Sequence, residues 1–274
     1  MVSSDQRRRQ LAREKYERQR QRREAARRKT KRRNVIVASA LAVALAAGAA
    51  AYASVGLAGG GDTADGAAAS PSKAADPCGK PAPGAPSKAR WDKEPAMSVD
   101  TSASYTMKLE TTCGDIGLKL DAAKAPHTVN SFAFLAGKEF FDHSKCHRLV
   151  DQGLYVLQCG DPTGTGAGTP GYTIPDENLK DPRLKGNVYP AGTVAMANRY
   201  DGKSDKTRNS GGSQFFLVYQ DSELPPNYTP FGTVTEGMDV LKKIAAAGST
   251  YDPSTRNTAP NATVVIDRAT VRKT

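Results

Sequence analysis

The chain is poor in the residues that build metal and nucleophile sites. Its 274 residues include one Trp, four Cys and three His. No Cys-x-x-Cys pair and no His-containing ligand spacing occurs, so a structural zinc site is not expected. The imidazoles are His127, His143 and His147, and His127 falls in a predicted helix, which argues against a three-histidine centre. Net charge is also missing where a nucleic-acid binder would need it. Beyond residue 34, the remaining 240 residues hold 24 basic and 24 acidic side chains, so a domain-wide footprint for polyanions is excluded. The whole formal charge of +11 sits in residues 1–34, with 15 Lys/Arg against 4 Asp/Glu.

Residues 35–61 contain no charged side chain. Within them, residues 35–57 are rich in Val, Ile, Ala, Leu and Gly; as a helix at ~1.5 Å per residue they reach about 34 Å, enough to cross a ~30 Å hydrocarbon core. The basic arm on one side predicts a single-pass signal anchor, with residues 1–34 cytoplasmic and everything after residue 57 outside the cell membrane. The rival reading is a signal peptide cleaved near Ala51 and Ala53, which a 34-residue charged leader fits poorly. The arm itself reads as a topology determinant in contact with anionic lipid, with no specific nucleic acid as partner. Residues 58–100, rich in Gly, Ala, Pro and Ser, read as an extended linker, with Trp91 packing onto the domain beyond it. Cys78, Cys113, Cys146 and Cys159 all fall on the exported side, where at least one disulfide is expected and three pairings are open.

A domain is predicted over residues 101–274. Tyr105, Met107 and Leu109 alternate, as do Ile116, Leu118 and Leu120 after a turn at Cys113, Gly114 and Asp115, which predicts a hairpin. Pro126 opens a helix with Val129, Phe132, Ala133 and Ala136 at helical spacing, closed by Gly137. Short strands follow near 146–150, 154–159, 192–197, 214–219 and 231–235, then a helix from Met238 to Ala246 and a last strand over 263–271. Many short strands with two separated helices predict a mainly β fold: a closed antiparallel barrel capped by two helices, preceded by one transmembrane helix.

Two local signals mislead. The run from Gly164 to Gly168 has the look of a dinucleotide loop, but Pro170 and Gly171 stand where a helix would have to begin. Cys146 beside His147 suggests a thiol nucleophile, yet neighbours along a strand point to opposite faces.

Five segments taken together are more specific. They are Cys146-His147-Arg148-Leu149, Leu157-Gln158-Cys159-Gly160-Asp161-Pro162, Ala195-Met196-Ala197-Asn198, Gly212-Ser213-Gln214-Phe215-Phe216 and Phe231-Gly232. In order and spacing, over about residues 103 to 272, they resemble the cyclophilin family of peptidyl-prolyl isomerases, and within it the exported forms of high-GC bacteria. The resemblance implies an eight-stranded barrel and rotation of X-Pro bonds in exported or cell-surface proteins, as a folding helper with no cofactor and no metal. It implies that Phe216, Tyr155, Val156 and Leu224 line a proline socket, that Gln158, Ala197, Asn198 and Gln214 hold the substrate backbone, and that Arg148 donates to the prolyl nitrogen with His147 in a minor role at the rim. The sequence departs from the family pattern at three places: two extra residues lie between Arg148 and Gln158, Tyr228 stands at the rim where a His is usual, and Glu223 replaces a tryptophan found in relatives strongly inhibited by cyclosporin.

The chemistry agrees with that resemblance. Turning an X-Pro bond breaks amide conjugation across a barrier of ~20 kcal/mol without making or breaking a σ bond, so neither nucleophile nor metal is required. What is required is an apolar seat for the ring, anchors for the flanking peptide and a cation that favours the twisted amide. Gln214 and Phe216 share one face of their strand and Phe215 and Leu217 the other, which sets a polar anchor beside an aromatic floor. The alternative is a non-catalytic module that binds proline peptides and is tethered to the membrane.

Overall fold

The computed structural model describes residues 75–274. The expected basic arm, the span at 35–57 and most of the Gly/Ala-rich spacer lie outside the described residues. Among the described residues no helix is long and apolar enough to cross a membrane.

Strand β1 (Tyr105–Thr111) turns into β2 (Gly114–Leu120) through Thr112 and Cys113. In both, every second side chain is buried, the period of a half-buried strand. Helix α1 (Pro126–Gly137) starts on a proline, whose missing N–H is no loss in the first turn. It has no side-chain cap of its own. The Glu177 carboxylate caps it from outside, accepting from the His127 and Thr128 N–H groups at 3.0 and 2.9 Å. Its buried face brings Phe132 against Phe141, Phe215 and Phe231, with ring centroids 4.6 to 5.4 Å apart. The remaining elements are β3 (Ser144–Lys145), β4 (Arg148–Asp151), β5 (Tyr155–Cys159), β6 (Val188–Tyr189), β7 (Thr193–Met196), β8 (Phe215–Val218), β9 (Ser222–Glu223), β10 (Pro230–Glu236), α2 (Met238–Ala246), β11 (Ser249–Asp252), β12 (Asn257–Pro260) and β13 (Val265–Lys273).

The expected closed, eight-stranded barrel is corrected to an open, curled one. Nine strands form a single ladder in the order β3-β13-β1-β2-β10-β7-β8-β5-β4, with β3 and β4 as free ends. Only Cys146 and His147 separate those ends along the chain. The sheet therefore curls until one stretch of chain serves both edges, but at these two residues that stretch leaves the β13 ladder before joining β5, and the ring of hydrogen bonds stays open. A disulfide joins Cys146 to Cys159 of β5 at this break. The β11–β12 hairpin shields the β4 edge: Thr258 Oγ1 donates to the Leu149 carbonyl at 2.5 Å and Ser249 Oγ to Asp151 at 3.0 Å.

Residues 75–100, grouped by composition with the spacer, are strapped to the domain. A second disulfide ties Cys78 to Cys113. Trp91 packs edge-on against Phe134, with centroids 5.1 Å apart, and its main-chain N–H donates to the Pro170 carbonyl at 2.8 Å. Asn130 Oδ1 accepts from the Ser98 N–H at 2.8 Å. Hydrophobic residues are few in this stretch, but one tryptophan and one cysteine are enough to dock it.

Candidate active site

Register builds the site. Arg148 of β4 pairs with Gln158 of β5, Gln158 with Phe216 of β8, and Phe216 with Ala195 of β7. Cross-strand partners point to the same face, so these four side chains form one row across four strands. The next row, Leu149, Leu157, Leu217 and Val194, points the other way into the main core. The sequence-derived assignment of Phe216 to one face and Phe215 to the other holds, with Phe215 fully buried in the core.

A chain of hydrogen bonds orients the polar members. Gln214 Nε2 donates to the carbonyls of Gly166 and Gly168 at 3.0 and 2.9 Å, which turns its oxygen toward Gln158. Gln158 Nε2 donates to that oxygen at 2.9 Å, and its own oxygen then accepts from Arg148 Nη1 at 3.2 Å. The amides can adopt no other polarity, because two carbonyls fix one end and a donor-only guanidinium the other. Among the described residues Arg148 makes no ion pair. Burial pulls its pKa below the usual arginine value, and it stays a cation at any physiological pH. His147 is buried beside it with neither ring nitrogen partnered among the described residues. Burial first, and the neighbouring Arg148 charge second, lower its pKa against the opposing pull of Asp161, so the neutral imidazole is favoured.

Over this row lies a cavity of about 220 Å³. Of the expected residues, His147, Arg148, Val156, Gln158, Ala197, Asn198, Phe216, Leu224 and Tyr228 line it. Phe216 is its aromatic floor, with Tyr228 edge-on at 5.6 Å and an interplanar angle of 81°. Gln214 stands behind Gln158 in the adjoining groove. Tyr155 is a correction. It faces the opposite side, against Tyr219 at 5.9 Å, because it and Val156 are adjacent in β5 and only one of them can face the socket. Leu154, at the end of the β4–β5 turn where Gly153 has φ 73°, takes its place in the lining. Asn198 anchors protein before substrate. Its Nδ2 donates to the Asn227 carbonyl at 2.7 Å and its Oδ1 accepts from the Tyr200 N–H at 3.1 Å. Among the described residues its main-chain N–H and C=O have no partner, leaving a short open edge beside the socket.

Three contributors escaped sequence reasoning. Tyr189 is fully buried, donates its hydroxyl to the Tyr228 carbonyl at 2.8 Å and accepts from the Tyr228 N–H, so it sets the rim. Asn257 reaches the wall from β12, a hairpin with no apolar alternation to announce it. Asp161 organises the glycine-rich loop: its fully buried carboxylate accepts from the N–H groups of Thr163, Thr165, Gly166 and Gly168. Burial alone pushes the Asp161 pKa up, but the hydrogen bonds from Thr163, Gly168 and Gly166 outweigh it and hold it below the ordinary value. These amides are the ones a phosphate would need; the protein's own anion occupies them.

The family model described as "Cyclophilin type peptidyl-prolyl cis-trans isomerase/CLD" matches residues 106–271. The chain is 48% identical over 168 residues to "Probable peptidyl-prolyl cis-trans isomerase B" of Mycobacterium leprae, covering 58% of this chain and 53% of that protein. It is 37% identical over 139 residues to a Helicobacter pylori peptidyl-prolyl cis-trans isomerase, covering 50% of this chain and 77% of that protein. A crystal structure of a Cryptosporidium parvum cyclophilin type peptidyl-prolyl cis-trans isomerase superposes with a TM-score of 0.50 at 26% identity, over 62% of this chain and 99% of that one. The chain spans about half the length of the mycobacterial relatives it matches.

Proposed function

The chain belongs to the cyclophilin-type peptidyl-prolyl cis-trans isomerase family, and from that premise we propose that it accelerates X-Pro bond rotation in polypeptides. The observation that carries this reading is the Arg148 guanidinium, held by Gln158 with no acidic partner among the described residues, above the apolar floor of Phe216. In the planar amide the prolyl nitrogen lone pair is delocalised; at the twisted midpoint it localises and becomes an acceptor. A cation poised beside the ring interacts more strongly with that state than with either planar isomer, which is the differential binding that lowers a barrier. Phe216, Val156, Leu154 and Leu224 seat the ring, Tyr228 closes the rim, and the open main-chain edge at Asn198 holds the flanking peptide. His147, kept neutral, adds no competing charge. The full-length protein should accelerate isomerisation of an Ala-Pro test peptide. Binding of the peptide with no acceleration would instead support a non-catalytic proline-binding module.

The reading extends to location. The protein is a single-pass membrane protein with residues 1–34 cytoplasmic, in contact with anionic lipid, and the isomerase domain outside, acting on exported or cell-surface chains. The uncharged 27-residue run behind a +11 arm supports this, as do two disulfides, which persist in oxidising compartments. Protease added to spheroplasts should remove the domain and spare the arm; a protected domain, or one released by cleavage near Ala53, would overturn the topology.

A further inference from the structure

The socket opens sideways into a second, larger groove of about 890 Å³, with which it shares Gln158, Gly166, Ala197 and Asn198. The outer wall of that groove is formed by Arg90, Asp92, Lys93 and Glu94. These residues lie ahead of 106–271, so they belong to the strap and not to the segment shared with the family.

The wall is held in place. Trp91, in its middle, is wedged against Phe134 and Phe140 and bonded through its main-chain N–H to the Pro170 carbonyl. Gly171, at φ 101°, lies directly under it: a Cβ there would meet the Trp91 carbonyl oxygen at 2.5 Å. With the tryptophan turned inward, the charged neighbours on either side are left on the groove surface.

Their charges do not cancel. Glu94 is engaged by His127 Nδ1 at 2.7 Å. Among the described residues the side chains of Arg90, Lys93 and, from the opposite side, Arg199 make no ion pair or hydrogen bond, and neither does Asp92. Three cations therefore face two carboxylates, Asp92 and Glu94, an excess of one positive charge, and of these five side chains only Glu94 has a partner among the described residues. A concave surface focuses such an imbalance on whatever enters it. An extended peptide advances ~3.3 Å per residue, so side chains two or three positions from a proline seated on Phe216 lie roughly 7–10 Å away, within the groove.

We propose that the strap, through Arg90 and Lys93, gives this groove a preference for peptides with an acidic side chain flanking the substrate proline. The inference rests on the isomerase reading above and narrows its substrate class.

The test uses the full-length protein and peptides with a constant Ala-Pro core, carrying Glu, Gln or Lys at the second or third position on either side. On one side of the proline, kcat/KM should fall from Glu to Gln to Lys, with about fivefold between Glu and Lys at low salt, the size of an exposed ion pair, and less in 0.5 M salt. The doubly reversed variant Arg90→Glu, Lys93→Glu should invert the order. Because each comparison is a ratio between peptides on one protein, loss of folded material cancels. Equal rates for Glu and Lys at every position, or an order unchanged in the variant, overturns the proposal. If no peptide is accelerated, the isomerase reading fails by itself, and anisotropy of labelled peptides decides the inference: the same order in Kd upholds it, equal Kd values overturn it.

Discussion

Strands β4, β5, β8 and β7 carry two surfaces made from alternate residues of the same segments. On the inner surface Leu149, Leu157, Phe215, Leu217 and Val194 are sealed from solvent and contribute no polar atom. On the outer one Arg148, Gln158 and Phe216 stand in a row beside an imidazole and a main-chain edge that have no partner among the described residues. One surface maximises contact; the other leaves a cation unpaired. The pleat lets both coexist one residue apart, so stability and reactivity can be perturbed separately.

The largest expected effect tests the inner surface. Phe215→Ala removes a fully buried ring in contact with Phe132 and Phe141 and should cost about 3–5 kcal/mol of stability, read from the urea midpoint. Phe216→Ala, on the outer surface, should cost less stability and raise KM for proline peptides. Equal losses would mean that the two surfaces share one core.

Arg148→Ala is the converse. Removing the oriented cation should lower kcat/KM by two to three decades, roughly 3–4 kcal/mol of transition-state stabilisation, while the urea midpoint barely moves. Wild-type activity in the folded variant would remove Arg148 from the mechanism.

A smaller effect concerns the rim. Glu223 is exposed at the end of β9, where the sequence resemblance places the tryptophan of strongly inhibited relatives. Cyclosporin-type inhibitors should bind weakly, and Glu223→Trp should tighten them about ten- to a hundredfold, as a recovered hydrogen bond of about 1–3 kcal/mol implies, with turnover little changed. No gain in the variant would place another side chain in that gap.

The smallest is a pH effect. His147 and Asp161 both have folded-state pKa values below their ordinary ones, so each contributes stability above its unfolded pKa that is lost as the pH falls through the folded one. Melting temperature should therefore decline in two stages on acidification, one beginning below about 6.5 and one below about 3.9. His147→Gln should abolish the first; if that stage survives, another group is responsible. The second is shared with Asp181, whose pKa is held at about 2: burial raises it, and the Arg183 and Asn178 hydrogen bonds prevail.

Much of this was legible beforehand. The two helices, Pro126–Gly137 and Met238–Ala246, end where proline, glycine and apolar spacing placed them. Period-two alternation located β1, β2 and the inner and outer faces of β8, because burial on one side leaves a local trace. Tyr155 was misassigned because the turn length that decides its register has no such trace. Asn257 and Tyr189 sit in two- to four-residue strands too short to show any period.

By itself the sequence determined what depends on near neighbours: the elements, the faces, the uncharged run behind a basic arm, and five motifs whose residue types suit a proline socket. The tertiary structure alone decided what depends on residues far apart. It chose which cysteines pair, left the sheet open at Cys146 and His147, pinned Trp91 against Phe134, and aimed the polarity of Gln214 and Gln158 at Arg148. The physical reason is range. Propensity and alternation act over a few residues, whereas a hydrogen-bond relay or an unpaired charge exists only after strands distant in sequence have fixed their register.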